Sequence, residues 1–289
     1  MPFSKNHQRR KSLIEVFTDL KFYSSLASPH SDSLRKMDLL KTLRSSLRGS
    51  WPPWGSLRHK SKAACFTLSM NDVYRFPLND EETQPDSAFY LAKSCFGDIQ
   101  TIMANPSPAE EYTLESFLIK SFTNLIFGSN AIERAGCGYE LTVRLCRKVV
   151  AGKEVLLEPR TSEKMTAEGV IKSRKEVIQH ALALNYLVNK VIIENEYLSE
   201  EVILETHKIL CQEVPLEDGS GDDYAGRYRK VSVVAGFSSF TPPDIVPAAM
   251  VELLRNLATD LVDAEKSCVL DPFMLASKYS HKFINIHPF

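Results

Sequence analysis

At 289 residues, 44% of them hydrophobic, the chain can bury one sizeable core or two modest ones, and its composition excludes fibrous and repeat architectures. The net charge of −1 hides an asymmetry: residues 1–62 hold thirteen Lys or Arg against four Asp or Glu, a balance of +9 that leaves −10 for the remainder. No apolar run approaches the roughly 20 residues of a bilayer-spanning helix, because Asn185, Asn189 and Lys190 interrupt the stretch from Ala181 to Ile193.

The basic, serine-rich start, closed by Trp51-Pro52-Pro53-Trp54-Gly55, predicts a mostly disordered N-terminal segment over 1–62. A solvated linker accounts for it better than a nucleic-acid contact. Arg9-Arg10-Lys11 followed by Leu13, Ile14, Val16 and Phe17 also suggests a mitochondrial presequence, but Glu15 and Asp19 count against one. The six cysteines form no Cys-x-x-Cys pair and no zinc spacing, which points to buried thiols in a reducing compartment, cytoplasmic or nuclear.

From about Asp86 the pattern turns helical. Residues 86–104 and 112–127 place apolar groups three and four apart on either side of Asn105-Pro106-Ser107-Pro108, and predict a helical hairpin. Residues 166–195 form the longest predicted element, with Val170, Val177, Leu184 and Val191, flanked by Ile171, Ile178, Ala181, Val188 and Ile192, as a core-facing stripe. Ser199 and the acidic pair Glu200-Glu201 predict an N-cap and a helix to about Cys211. His207 falls beside that helix's apolar face and is read as a hydrogen-bonded core histidine. Val231–Ala235 is the clear strand, with Gly236 as a turn, 238–241 as a return leg and Pro242-Pro243 as its end. Pro247 starts a helix to about Val262, and Asp271-Pro272 caps the last one. The fold class is therefore mainly α, with one small β-hairpin.

The last residues are His287-Pro288-Phe289, preceded by Gly226-Arg227-Tyr228-Arg229, Val231 to Gly236, Phe240-Thr241-Pro242-Pro243 and Asp271-Pro272-Phe273. In order and spacing these blocks resemble the Fic (Fido) domain family over about residues 110–289. In that family His-Pro-Phe leads into an acidic residue and Gly-Asn-Gly-Arg, so the chain ends inside the motif.

The resemblance implies a helical bundle with a hairpin "flap" and a division into the basic segment 1–62, a helical region 63–195 and a Fic domain over 196–289. It also implies protein adenylyltransferase activity: AMP passes from ATP, with Mg2+, to a Ser, Thr or Tyr hydroxyl of a target protein that presents it on an extended segment. Removal of AMP is left open as a second activity, and a homodimer as an assembly. His287 matches the family's general base, and an imidazole with a pKa near 6.5 suits the task. Val233, Val234, Ala235 and Gly236 match the part of the flap beside the nucleotide. Gly128-Ser129-Asn130-Ala131-Ile132-Glu133 resembles the family's inhibitory helix, with Glu133 as the inhibitory glutamate and Arg134 where Gly or Asn is usual.

The metal ligand and the phosphate-binding segment of the motif lie beyond residue 289, so the chain as it stands is expected to be inactive. The alternative is a non-catalytic peptide-binding scaffold of the same fold. Arg227 and Arg229 are expected to face solvent, and His281 to serve packing.

Overall fold

The computed structural model describes residues 37–47, 85–153, 155, 166–214, 224–235, 238–267 and 271–289. The chain is mainly α. Helix α1 (Leu39–Ser46) corrects the expectation of disorder for its part of the N-terminal segment. Asp38 caps it by accepting the Lys41 N–H at 2.8 Å, and Met37 and Leu39 are buried beside Val149 and Val150. A local cap and two apolar anchors outweigh the basic composition here. The rest of 1–62 lies outside the described residues.

Helix α2 spans Pro85–Ala104, and Gln100 ties it to α1 by donating to the Leu47 carbonyl at 2.6 Å. Helix α3 (Pro108–Ile132) overruns its predicted limits at both ends. Pro108 occupies the first turn, where its missing N–H costs nothing, and Ser107 with Glu110 completes a capping box. The predicted hairpin of α2 and α3 is not the dominant packing. Helix α3 lies instead against α1, α4 (Tyr139–Val150) and α5 (Ala167–Val188).

Helix α5 continues into a π-helical turn, Asn189–Ile193, where the Asn189 side chain donates to the carbonyl and side-chain oxygens of Asn185. Its buried face keeps only part of the predicted stripe. Val170, Val177 and Ala181 are buried, Leu184 and Val191 only half so, and Arg174 and Asn185 occupy buried positions. A straight helix drifts against a heptad, so the covered face follows spacings of three and four.

Helix α6 (Glu200–Cys211) starts where predicted, with Ser199 accepting the Val202 N–H at 3.3 Å. The β element is shorter than predicted: β1 (Val234–Ala235) and β2 (Ser238–Ser239) pair antiparallel, Val234 opposite Ser239 and Ala235 opposite Ser238. Val231 stays out of the ladder because its carbonyl is taken by the Arg229 guanidinium at 2.8 Å. Helices α7 (Val246–Ser267) and α8 (Pro272–Ile286) then pack on each other.

Apolar burial collects in two clusters. Ile126, Cys146, Val177 and Ala181 anchor the first, among α1, α3, α4 and α5. Val246, Met250, Leu253, Tyr279 and Ile286 anchor the second, between α7 and α8, with Ile203 of α6 and Tyr228 against it. Each large side chain buried in this way contributes about 1.5–3 kcal/mol. Among the described residues no helix is long and apolar enough to cross a membrane.

Candidate active site

Helix α8 places the candidate base. Asp271 caps it with two bonds, from the Phe273 and Met274 N–H groups at 3.0 and 2.9 Å. Lys278 and Tyr279 both donate to Asp260 of α7, at 2.5 and 2.7 Å. The Asp260 carboxyl is held below its ordinary range by those bonds, Lys278 first. Ile286 seats the last turn in the core.

The helix ends at His287 because a residue before proline is driven out of the right-handed helical region. His287 takes the left-handed conformation, φ 49° and ψ 67°, while its N–H still donates to the Phe283 carbonyl at 3.0 Å. Its Nδ1 lies 3.0 Å from the Phe289 main-chain oxygen. That oxygen can only accept, so Nδ1 is the donor, and in the neutral ring the lone pair is on Nε2. The tautomer is the one a base working through Nε2 requires.

The ring is half-buried and meets Phe240, with centroids 4.6 Å apart and planes tilted by 50°. Phe240 is the residue after β2, and its N–H donates to the Val233 carbonyl at 3.4 Å. The Thr241 N–H donates to the Asn285 carbonyl at 3.4 Å. The hairpin base is thus joined to the last turn of α8, and His287 and the hairpin, far apart in sequence, meet there.

Arg229 corrects the expectation of a solvent-facing side chain. It is half-buried, and its Nε donates to the His287 carbonyl at 2.6 Å and one Nη to the Ile286 carbonyl at 3.2 Å. The same Nη bonds the Thr241 carbonyl, and the Arg229 main-chain N–H bonds the Pro288 carbonyl at 3.0 Å. Arg227 is exposed.

Beneath the terminal turn, Phe289 stacks on His207, with Tyr228 further along at 5.8 Å. The Gly226 N–H donates to His207 Nδ1 at 3.1 Å, which leaves the proton on Nε2, 3.1 Å from the Cys211 sulfur. Burial holds the His207 pKa down to about 4 and raises that of Cys211. A neutral imidazole beside a neutral thiol is a structural pair, as the sequence suggests for His207, and not a thiolate nucleophile.

The other site candidates are distributed as follows. Val233 is half-buried and Val234 is 70% exposed. Ala235 contributes its backbone to the ladder, and Gly236 lies outside the described residues. Glu133 caps the C-terminus of α3 and is exposed, with no described residue pairing its carboxylate. No bond or ring contact among the described residues links it to His287.

The turn after Glu133 is nevertheless firmly held. Arg134 and Gly136 have φ of 54° and 75°, and Glu176 accepts the Gly136 N–H at 2.6 Å. Asn130, one turn earlier, bonds His180 Nδ1 at 2.8 Å. A cavity of about 440 Å³ opens beside this turn, lined by Gly136, Cys137, Tyr139, Arg144 and Arg174 among others, and no residue of the His287 cluster borders it.

His281 is exposed and meets Asn285, which corrects the packing role expected for it. Cys95 is likewise exposed, contrary to the expectation of buried thiols, while Cys146 is buried, with a thiol pKa pushed up to about 12 by desolvation. Cys65 and Cys268 lie outside the described residues. No group of three or more His, Cys, Asp or Glu able to hold a metal occurs among the described residues.

Fold and site together define a helical protein in which the base of a short β-hairpin meets a histidine at a helix end. Residues 197–289, from just before α6 to the terminal His-Pro-Phe, match the model of the Fic/DOC family. No significant match was found among curated proteins.

Proposed function

We propose that the protein is a Fic-type adenylyltransferase that moves AMP from ATP to a Ser, Thr or Tyr hydroxyl of a target protein, with Glu133 as its inhibitory residue. The observation that carries this is the tautomer and placement of His287: Nδ1 is held by the Phe289 main-chain oxygen, and the ring is set against the hairpin through Phe240.

In the proposed step the target hydroxyl loses its proton to His287 Nε2 as its oxygen attacks the α-phosphorus of ATP. The new oxygen–phosphorus bond forms, the bond from the α-phosphorus to the bridging oxygen breaks, and pyrophosphate leaves. The target lies along the hairpin as an added strand. In support, the ladder is only two residues per strand and Val234 is exposed, so backbone pairing capacity remains near the base. Glu133 acts from the C-cap of α3, where the Asn130–His180 and Gly136–Glu176 bonds fix the turn that presents it.

Transfer of label from α-labelled ATP to protein, by the chain continued past Phe289 through an acidic residue and Gly-Asn-Gly-Arg, tests the proposal. His287→Ala should lower the rate by about 100-fold to 10,000-fold, the usual worth of a general base, while ATP binding persists. Glu133→Gly should raise transfer. Undiminished labelling by the His287 variant would overturn the assignment, and equal labelling with and without the Glu133→Gly change would remove the inhibitory role alone.

A further inference from the structure

We infer that Arg229 is a positioning residue, locking the hairpin and the His287 turn into one rigid unit so that engagement of a strand on the hairpin is transmitted to the base. The inference rests on the proposed role of His287. Arginines in a candidate phosphate-transfer site are first suspected of holding phosphate, because the guanidinium matches phosphate geometry. The bonding of Arg229 leaves little capacity for that use.

A guanidinium has five N–H donors. Nε takes the His287 carbonyl, Nη1 the Val231 carbonyl, and Nη2 those of Ile286 and Thr241. Four donors are therefore committed to main-chain oxygens, two from the hairpin base and two from the end of α8. The backbone N–H of Arg229 adds a bond to Pro288.

The last carbonyls of a helix carry its negative pole, so they stabilise the cation where it sits. The same contacts explain how His287 is held at a φ of 49°, a conformation that a non-glycine residue keeps only when its surroundings fix it. A shift of Val231 or Thr241 pulls on the group that also grips the His287 carbonyl. Lysine cannot substitute, because one ammonium cannot span four acceptors in a plane.

Hydrogen exchange on the full chain, wild type and Arg229→Lys, reads the lock without needing activity. In the wild type the Thr241 and His287 amides should exchange through one shared opening, with the same protection and the same denaturant dependence. In Arg229→Lys both should exchange at least about 10-fold faster, while the Ile203 amide of α6 keeps its rate. Separate openings in the wild type overturn the inference, and so does acceleration of every amide alike. If the variant does not fold, the wild-type comparison alone decides.

A second arm measures AMP transfer. Arg229→Lys should lower kcat by about 10-fold to 100-fold, as misplacement of a catalytic group does, with KM for ATP within about twofold. A raised KM with kcat unchanged would make Arg229 a phosphate ligand and overturn the inference. Transfer is measured with the chain continued past Phe289 through an acidic residue and Gly-Asn-Gly-Arg; its absence there would sink the adenylyltransferase reading and leave the exchange result standing.

Discussion

The Phe289 ring lies flat on the His207 imidazole, with 3.8 Å between centroids and 13° between planes. Through this pair the residue that ends the His-Pro-Phe turn rests on α6, and a second histidine, distant in sequence from the candidate base, serves as the support of its turn.

Removing the stack should loosen that support without reversing the His287 tautomer, since Nδ1 bonds a main-chain oxygen and not a ring. Phe289→Ala is expected to cost about 2 kcal/mol, less than a fully buried phenylalanine because the ring is half-exposed. Urea unfolding measures it. In the same variant the His207 pKa should climb from about 4 toward its ordinary value, as seen by NMR titration, because burial is what depresses it.

Stability should fall in mild acid for the same reason. In the unfolded chain His207 titrates near 6.5. In the folded protein, where it faces the Gly226 N–H, the Cys211 thiol, Tyr224 and Phe289, it titrates at about 4. Between those values only the unfolded chain takes the proton, so stability is complete above about pH 6.5 and is lost as pH drops toward 4. The loss is on the order of 2 kcal/mol, set below the full linkage value because the ring is partly solvated. His180, also depressed by burial, adds in the same sense. His207→Gln should flatten the pH dependence of the urea midpoint; an unchanged slope would show that His207 does not supply it.

Gly226 should tolerate no side chain. Its φ is +71°, and a Cβ there would stand 2.8 Å from Lys208 Cβ and 3.0 Å from the Leu204 carbonyl oxygen, inside α6 packing. Gly226→Ala should therefore destabilise by about 2–4 kcal/mol, combining backbone strain with displacement of the N–H that bonds His207. A thermal melt within a degree of wild type would contradict this.

Asp271 is buried and accepts two N–H groups at the start of the helix that carries His287. Asp271→Ala should cost about 1–2 kcal/mol, with Asp271→Asn recovering part of it, because asparagine also caps helices. Circular dichroism during urea unfolding distinguishes the two variants.

Helix starts were legible because their signals are local. Ser199 with Glu200-Glu201 and Asp271-Pro272 each cap through groups within three residues of the first turn, whereas the Ser107–Glu110 box was missed because 105–108 reads as a breaker and the predicted helix begins at 112. The order of blocks from Gly226 to Phe289 was legible too, and with it the family segment later matched over 197–289. The helix over Leu39–Ser46 was missed because composition averaged across 1–62 drowned one cap and two apolar anchors. The cap itself, Asp38 three residues before Lys41, was there to be found.

The role of Arg229 could not be read in this way. Its partners are main-chain carbonyls at Val231, Thr241, Ile286 and His287, and a carbonyl has no sequence signature. The same holds for the buried Arg174 and Asn185 on α5, whose burial follows from which neighbours cover that face. Sequence by itself determined the helical class, the caps and the histidine worth suspecting, since those depend on side chains close along the chain. Only the tertiary structure decided which nitrogen of His287 holds the proton and what clamps it to the hairpin. Those depend on oxygens that are placed only when the hairpin and the end of the last helix, segments more than forty residues apart, pack together.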